Sequence, residues 1–234
     1  MAEPAFHRYE TREALAEALA AGVAAVLAGA IATEGEARLA VSGGSTPKLF
    51  FEKLSGAEID WHEVTVTLVD ERWVPEENAR SNAAMLRRHL LTGRAAAAHF
   101  VPFYEPSDMP EEVLDTLNDR FHRIGRNFDA VILGMGNDGH TASWFPHAPG
   151  LAGCLDPNTD DAVAIVHPLD QDEARVTLTF PMIADARFLA IHIEGEEKLK
   201  TLEAARAAGA VEAMPVRAVF GAARPGPLDV FWAP

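Results

Sequence analysis

The run Ala130-Val-Ile-Leu133 stops abruptly at Gly134-Met-Gly-Asn-Asp-Gly139, and His140-Thr-Ala-Ser143 follows at once. Consecutive apolar residues rich in β-branching leave no side for water, which is the pattern of a strand buried on both faces in a parallel sheet. This stretch constrains the fold more than any other, because a parallel sheet requires helical crossovers to cover it. Glycines at the strand end let the backbone turn sharply and come close to a ligand. Asp138 and His140 sit two residues apart there, and Thr141 is placed to cap a following helix. In open α/β sheets the carboxyl ends of the strands are where ligands bind.

The spacing Gly134-x-Gly136-x-x-Gly139 also matches a dinucleotide fingerprint, which demands a helix directly after the third glycine and an acidic residue about 20 positions on. Pro146 and Pro149 restrict any helix after His140 to about a turn or two, and Asp156 lies in Cys-Leu-Asp-Pro-Asn, which reads as a loop. A bound dinucleotide is therefore not expected.

The same strand-to-polar-turn arrangement recurs along the chain. Residues 11–31 carry Leu15, Leu19, Val23, Val26 and Leu27 at helical spacing, the apolar stripe of a helix lying on a sheet face. A strand over 38–41 runs into Ser42-Gly-Gly-Ser-Thr-Pro47, and a helix over 48–54 follows, with Ser45 or Thr46 as its cap. Gly43, Gly44, Ser45 and Thr46 offer a nest of backbone N–H groups and hydroxyls suited to a phosphate, though a well-capped turn looks the same in sequence. A strand over 64–69 ends in Asp70-Glu-Arg72-Trp73, and Ser81-Asn82 starts a helix. Further strands are predicted around Phe100 and Val101 and over 162–166, 175–180, 188–193 and 228–232, with helices over 111–124, 181–186 and 196–208. Lys198 falls in the first turn of the last helix. With no repeat and no linker, the 234 residues form a single α/β domain, 1–234, whose one doubly wound, mostly parallel sheet has helices on both faces.

Charge excludes several partners. With 35 acidic and 20 basic residues the net charge is −15, so neither nucleic acid nor an anionic membrane is an expected partner, and an anionic substrate needs a local basic cluster. The N-terminal residues contain no apolar signal core, and no run of about 18 apolar residues is expected elsewhere, which points to a cytoplasmic protein. The one cysteine, Cys154, suits a reducing compartment and receives no role. Asp138 and His140 with His147 lack the further spaced ligand of a zinc site, so no metal and no cofactor is expected.

Taken in order, Ser42-Gly-Gly-Ser-Thr-Pro47, Asp70-Glu-Arg72 with Ser81-Asn82, Gly134-Met-Gly-Asn-Asp-Gly-His-Thr-Ala-Ser143, Arg175-Val-Thr-Leu-Thr179 and Gly195-Glu-Glu-Lys198 resemble the 6-phosphogluconolactonase family. The resemblance implies the Rossmann-type fold shared with glucosamine-6-phosphate deaminase, ribose-5-phosphate isomerase and CoA transferase. It also implies hydrolysis of 6-phospho-D-glucono-1,5-lactone to 6-phospho-D-gluconate, the second step of the oxidative pentose phosphate pathway. Apart from the resemblance, a monomer or weak homodimer is expected. Longer members carry a His and a Trp followed by an acidic residue near the C-terminus; here Met214-Pro-Val-Arg217 and Val230-Phe-Trp-Ala-Pro234 stand instead.

Opening a lactone needs water activated by a base, a cradle for the developing oxyanion and an anchor for the phosphate. By the resemblance His140 is the base, and Asp138 or Asp70 orients it; the other histidines carry no role. Arg175 and Lys198, with Ser45, Thr46 and the backbone around Gly43 and Gly44, are the expected phosphate ligands, and Arg72 serves phosphate or oxyanion. Two other readings use the same fold: an amino-sugar-phosphate deaminase and a non-catalytic sugar-phosphate sensor. The resemblance puts a glutamate of the deaminases where this chain has Phe145, and a sensor's DNA-binding helix-turn-helix has no counterpart in residues 1–35, which read as one helix.

Overall fold

The computed structural model of the chain describes residues 3–169, 173–222, 224 and 226–234. In chain order the strands and α-helices are β1 (Ala5–Arg8), α1 (Arg12–Glu34), β2 (Ala37–Val41), α2 (Lys48–Ser55), β3 (Val64–Leu68), β4 (Asp70–Arg72), α3 (Asn82–His89), β5 (His99–Val101), α4 (Leu114–Ile124), β6 (Ala130–Leu133), α5 (Leu151–Leu155), β7 (Val163–Val166), β8 (Arg175–Leu178), α6 (Phe180–Ala184), β9 (Phe188–Glu194), α7 (Glu196–Arg206), α8 (Arg217–Gly221) and β10 (Leu228–Ala233).

The main sheet has seven strands in the order β1-β10-β9-β6-β2-β3-β5, and every pairing in it is parallel. From β2 the chain winds outward through β3 to β5; it then returns to β6 on the other side of β2 and continues through β9 to β10. The order therefore reverses between β2 and β6, and the loops after those two strands part to leave a crevice. β6 is buried at every position, so the sheet is covered on both faces there, as its unbroken apolar run requires.

Helix α1 supplies much of that cover. Thr11 Oγ1 accepts the Ala14 N–H at 3.1 Å to start it, and Gly35, at φ 82°, ends it in the left-handed conformation that glycine adopts without strain. Leu15, Leu19, Val23 and Leu27 are fully buried on one stripe, and α1 packs on β2, β6, β9 and β10. One expectation is corrected here. Residues 12–34 are long and apolar enough, with a mean hydropathy of 2.0 over 18 residues, to cross a bilayer by length and composition. Exposed alanines such as Ala14, Ala21, Ala25 and Ala28 raise the hydropathy, while Leu15, Ala16, Leu19, Ala20, Val23, Leu27 and Ala30 form the buried face of a core helix.

A second correction concerns the sheet. β7 and β8 do not join the main sheet; with β4 they form a separate antiparallel sheet in the order β4-β8-β7. Only residues 167–174 separate β7 from β8, too few for the helical crossover that a parallel neighbour needs. Sequence reading also passed over β1, a short strand at the sheet edge beside β10, and the short helices α5 and α8.

Candidate active site

The crevice between β2 and β6 opens into a cavity of about 310 Å³. Of the residues singled out above, Gly43, Gly44, Ser45, Thr46, Asp70, Arg72, His140 and Lys198 all line it. Asp138 and Arg175 do not line it, and each touches a residue that bears on it.

The loop after β6 is folded by its own polar groups. Gly136 N–H donates to His140 O at 2.8 Å, Gly139 N–H donates to Gly136 O at 3.1 Å, and Gly139 takes φ 81°. The Thr141 hydroxyl donates to Gly134 O at 2.8 Å. Thr141 therefore closes the loop instead of capping a helix; the next helix, α5, begins only at Leu151. The two loops of the crevice are tied together where Gly134 N–H donates to Ser42 Oγ at 2.8 Å.

His140 Nδ1 lies 2.6 Å from Asp138 Oδ1, and the same oxygen accepts the His140 backbone N–H at 3.1 Å. A carboxylate on Nδ1 fixes the tautomer that carries its proton there and leaves Nε2 as the basic nitrogen. Burial pushes the Asp138 carboxyl upward, but the hydrogen bonds and charge of His140 outweigh it and hold the group below its ordinary value. The imidazole also lies against the Phe145 ring, with centroids 4.5 Å apart. A Cβ on Gly136 would overlap both the His140 ring and the Asp138 carboxylate, so this glycine makes room for the pair.

Asp70 is held elsewhere: its Oδ2 accepts the Ser143 hydroxyl at 2.6 Å. Of the two carboxylates considered as orienters of His140, Asp138 is the one in contact. Glu71, next in sequence, is buried and accepts the N–H groups of Arg72, Asn82 and Ala83 at 2.8 Å each. Burial raises its carboxyl above the ordinary value, and those N–H groups oppose the rise. The carboxylate joins β4 to the N-terminus of α3, where Ser81 Oγ accepts the Ala84 N–H at 3.1 Å. That clasp places Asn82 at the cavity, and its Nδ2 donates to Asp70 O at 3.1 Å.

On the opposite wall, α2 begins with Pro47 at the N-cap position and no side-chain cap. This corrects the expectation that Ser45 or Thr46 caps it: Pro47 starts the helix with its own fixed φ. Among the described residues neither hydroxyl is spent on the helix, so both remain beside the cavity with the N–H groups of the turn. A Cβ on Gly43 would overlap the Asn82 side chain, so glycine allows the walls to approach. Lys198, in the first turn of α7, faces the same space; burial lowers its ammonium below the ordinary value, with Asp138 and Glu197 acting against the shift.

Arg175 stands opposite Arg72 in the β4–β8 pairing and is 2% exposed. Its Nη1 donates to Glu173 O at 2.9 Å, and its guanidinium carbon lies 6.0 Å from the centre of the Phe145 ring. Burial, then the charge of Arg72, lowers its pKa.

Sequence reasoning missed His192 and Glu194, which line the cavity from the end of β9. The signal was present: in Ile191-His-Ile-Glu194 two polar side chains alternate with isoleucines, which puts them on one face at a carboxyl-terminal strand end. The segment 214–217 reaches the site loop too, since Val216 N–H donates to Gly139 O at 3.0 Å and a Cβ on Gly139 would meet the Met214 side chain. Among the described residues no three His, Cys, Asp or Glu side chains are grouped to hold a metal ion.

Residues 10–232 match the family described as glucosamine-6-phosphate isomerases/6-phosphogluconolactonase. A protein of Rhizobium meliloti (strain 1021) named 6-phosphogluconolactonase is 48% identical over 228 residues, covering 97% of this chain and 98% of its own. One of that name from Mesorhizobium japonicum is 47% identical over 229 residues, covering 98% and 95%. The crystal structure of a 6-phosphogluconolactonase from Shewanella baltica OS155 superposes with a TM-score of 0.95 at 40% identity, covering 99% of this chain and 98% of that one. On the sequence match and the shared fold, the chain belongs to the glucosamine-6-phosphate isomerase/6-phosphogluconolactonase family.

Proposed function

We propose that the protein hydrolyses 6-phospho-D-glucono-1,5-lactone to 6-phospho-D-gluconate, with His140 activating the attacking water. The observation that carries this reading is the 2.6 Å Asp138–His140 contact, set in the same cavity as a glycine-and-hydroxyl turn, Arg72 and Lys198. Nε2 takes a proton from water as the oxygen attacks the lactone carbonyl, and the imidazolium then protonates the departing ring oxygen. Asp138 stabilises the imidazolium meanwhile. Ser45, Thr46, the surrounding N–H groups and Lys198 anchor the phosphate, and Arg72, on the same cavity lining, serves the phosphate or the oxyanion. Arg175, behind Phe145, adds positive charge to this wall. A sugar-phosphate lactone as partner, a monomer or weak homodimer, a cytoplasmic setting and independence of metal belong to the same proposal.

Phe145 weighs against the deaminase reading. A phenyl ring packed on His140 cannot accept the imidazole proton or stabilise its charge, whereas a lactone presents an already electrophilic carbonyl and needs one base. The test is an assay in which glucose-6-phosphate dehydrogenase supplies the lactone while acid release is followed, with ammonia release from glucosamine 6-phosphate measured in parallel. Acceleration over spontaneous hydrolysis with no ammonia is expected. No acceleration at any protein concentration, or ammonia release at a comparable rate, would overturn the reading.

A further inference from the structure

The cavity is built to receive an anion, yet one of its walls carries a carboxylate whose purpose the proposed chemistry does not supply. Two carboxylates line the cavity, Asp70 and Glu194, and a third, Asp138, orients His140. Asp70 accepts the Ser143 hydroxyl at 2.6 Å, and Asp138 is engaged by His140. Glu194 differs. Its side chain is 12% exposed, and its two oxygens face cations or potential cations only at ion-pair range, Oε2 at 3.3 Å from Arg12 Nη1 and Oε1 at 3.4 Å from His192 Nε2.

Neither contact closes a hydrogen bond. His192 is 3% exposed, and among the described residues neither of its ring nitrogens has a hydrogen-bond partner. Buried polar atoms are rarely left so, and each such case calls for a physical explanation. The Phe50 ring stands edge-to-face with the imidazole, with centroids 6.2 Å apart, and the pair packs in the sheet core. Arg12 is fixed in turn by donating from Nε to Pro234 O at 3.0 Å. A carboxylate is thus held between two buttresses, with lone pairs still open to the cavity.

A carboxylate whose ion pairs close no hydrogen bond still adds nothing to the hold on a phosphate, so its presence on this cavity wall calls for a ligand group that donates to it. The polyol part of a sugar phosphate is such a group: its hydroxyls donate, and a carboxylate is the strongest acceptor a protein can offer them. We propose that Glu194 is the specificity-determining acceptor for a sugar hydroxyl, and that His192 and Arg12 are its positioning residues. This rests on the lactonase reading for the identity of the sugar. The anchor of Lys198 and the Ser45–Thr46 turn fixes one end of the ligand, and Glu194 reads the configuration of the carbon chain between that anchor and the carbonyl. A substrate lacking the hydroxyl, or carrying it on the other face, leaves the carboxylate desolvated without a partner, the situation in which discrimination is largest.

The test compares wild type with Glu194→Gln and His192→Phe on the gluconolactone 6-phosphate and on analogues deoxygenated or epimerised at one carbon at a time. Titration calorimetry with 6-phosphogluconate and with inorganic phosphate accompanies the kinetics. Wild type is expected to lose about ten- to a hundredfold in kcat/KM at one hydroxyl position, the size of one charge-assisted hydrogen bond. In Glu194→Gln that preference falls to within about threefold, while inorganic phosphate binds as well as before or better, because a repelling charge has gone. His192→Phe keeps the ring volume without its nitrogens and shows the same collapse in smaller measure. Preserved discrimination in Glu194→Gln, or an equal loss of phosphate and 6-phosphogluconate affinity, overturns the proposal. Should either variant fail to fold, the wild-type series decides: equal kcat/KM for every deoxygenated analogue overturns it. If wild type hydrolyses none of the lactones, it is the function that fails, and the calorimetry still reports on Glu194 separately.

Discussion

At the scale of single residues, the site is a set of charges whose environments differ in sign. Asp138 sits beside a group that becomes cationic, and its carboxyl is held down; Lys198 is an ammonium losing water, and its proton is held less firmly than in a free lysine. The lysine gives a pH prediction with a definite direction. A lowered pKa means that Lys198 loses its charge at a pH below 10.5, and the bound phosphate loses a cationic partner with it. The affinity for 6-phosphogluconate is therefore expected to weaken on the alkaline side before an ordinary lysine would titrate. Lys198→Arg, whose guanidinium keeps its proton, should push that limb to higher pH. Calorimetric titrations at stepped pH check this; an alkaline limb unmoved by the arginine would assign it to another group. Several of these residues were legible in the sequence because their chemistry is local: Asp138 reaches His140 across a single turn. His192 and Glu194 left only the alternation with isoleucines as a signal, because Arg12 and Phe50, which they meet in the folded sheet, lie far off in sequence.

At the scale of elements, the strand-end loops work because glycines admit side chains into space that a Cβ would occupy. Gly136→Ala is expected to displace the His140 ring and the Asp138 carboxylate together, lowering kcat by at least about 10² while KM, set by the phosphate anchor on another loop, changes little. A parallel rise in KM would show that the loop positions substrate as well as base. Glu71 acts on a different junction. Replacing it with alanine leaves the N–H groups of Asn82 and Ala83 unanswered at the start of α3, which costs about 1–3 kcal/mol and should appear as a lower urea midpoint. Because Asn82 moves with that helix end, activity should fall too. A variant as stable as wild type would mean that water replaces the carboxylate without loss. The parallel core was legible from unbroken apolar runs such as Ala130–Leu133, whose period leaves no solvent face. The β4-β8-β7 sheet was not, because the β-branched, apolar composition of β7 and β8 says that they are strands without saying which sheet takes them. The length of the 167–174 connection held that information. Strand β1 was missed because a four-residue edge strand has its partner, β10, at the other end of the chain.

At the scale of the whole molecule, the winding of the sheet decides where chemistry can occur. The order reverses between β2 and β6, so the Ser42–Pro47 turn and the Gly134–Ser143 loop, far apart in sequence, face each other across one crevice, with β3 and β9 delivering Asp70 and Lys198 from either side. With a net charge of −15 the protein is acidic, and Arg72 and Lys198 bring two cations to a cavity wall that Asp70 and Glu194 share. In the proposed reaction this geometry serves one base, His140. The most direct measurement is the turnover of His140→Ala on 6-phosphogluconolactone, with its affinity for 6-phosphogluconate and its thermal midpoint taken on the same preparation. The account predicts a fall in kcat of about 10²–10⁴ with binding and stability close to wild type, because the imidazole is removed and the phosphate anchor is not. A folded, product-binding variant that turns over near the wild-type rate would contradict it.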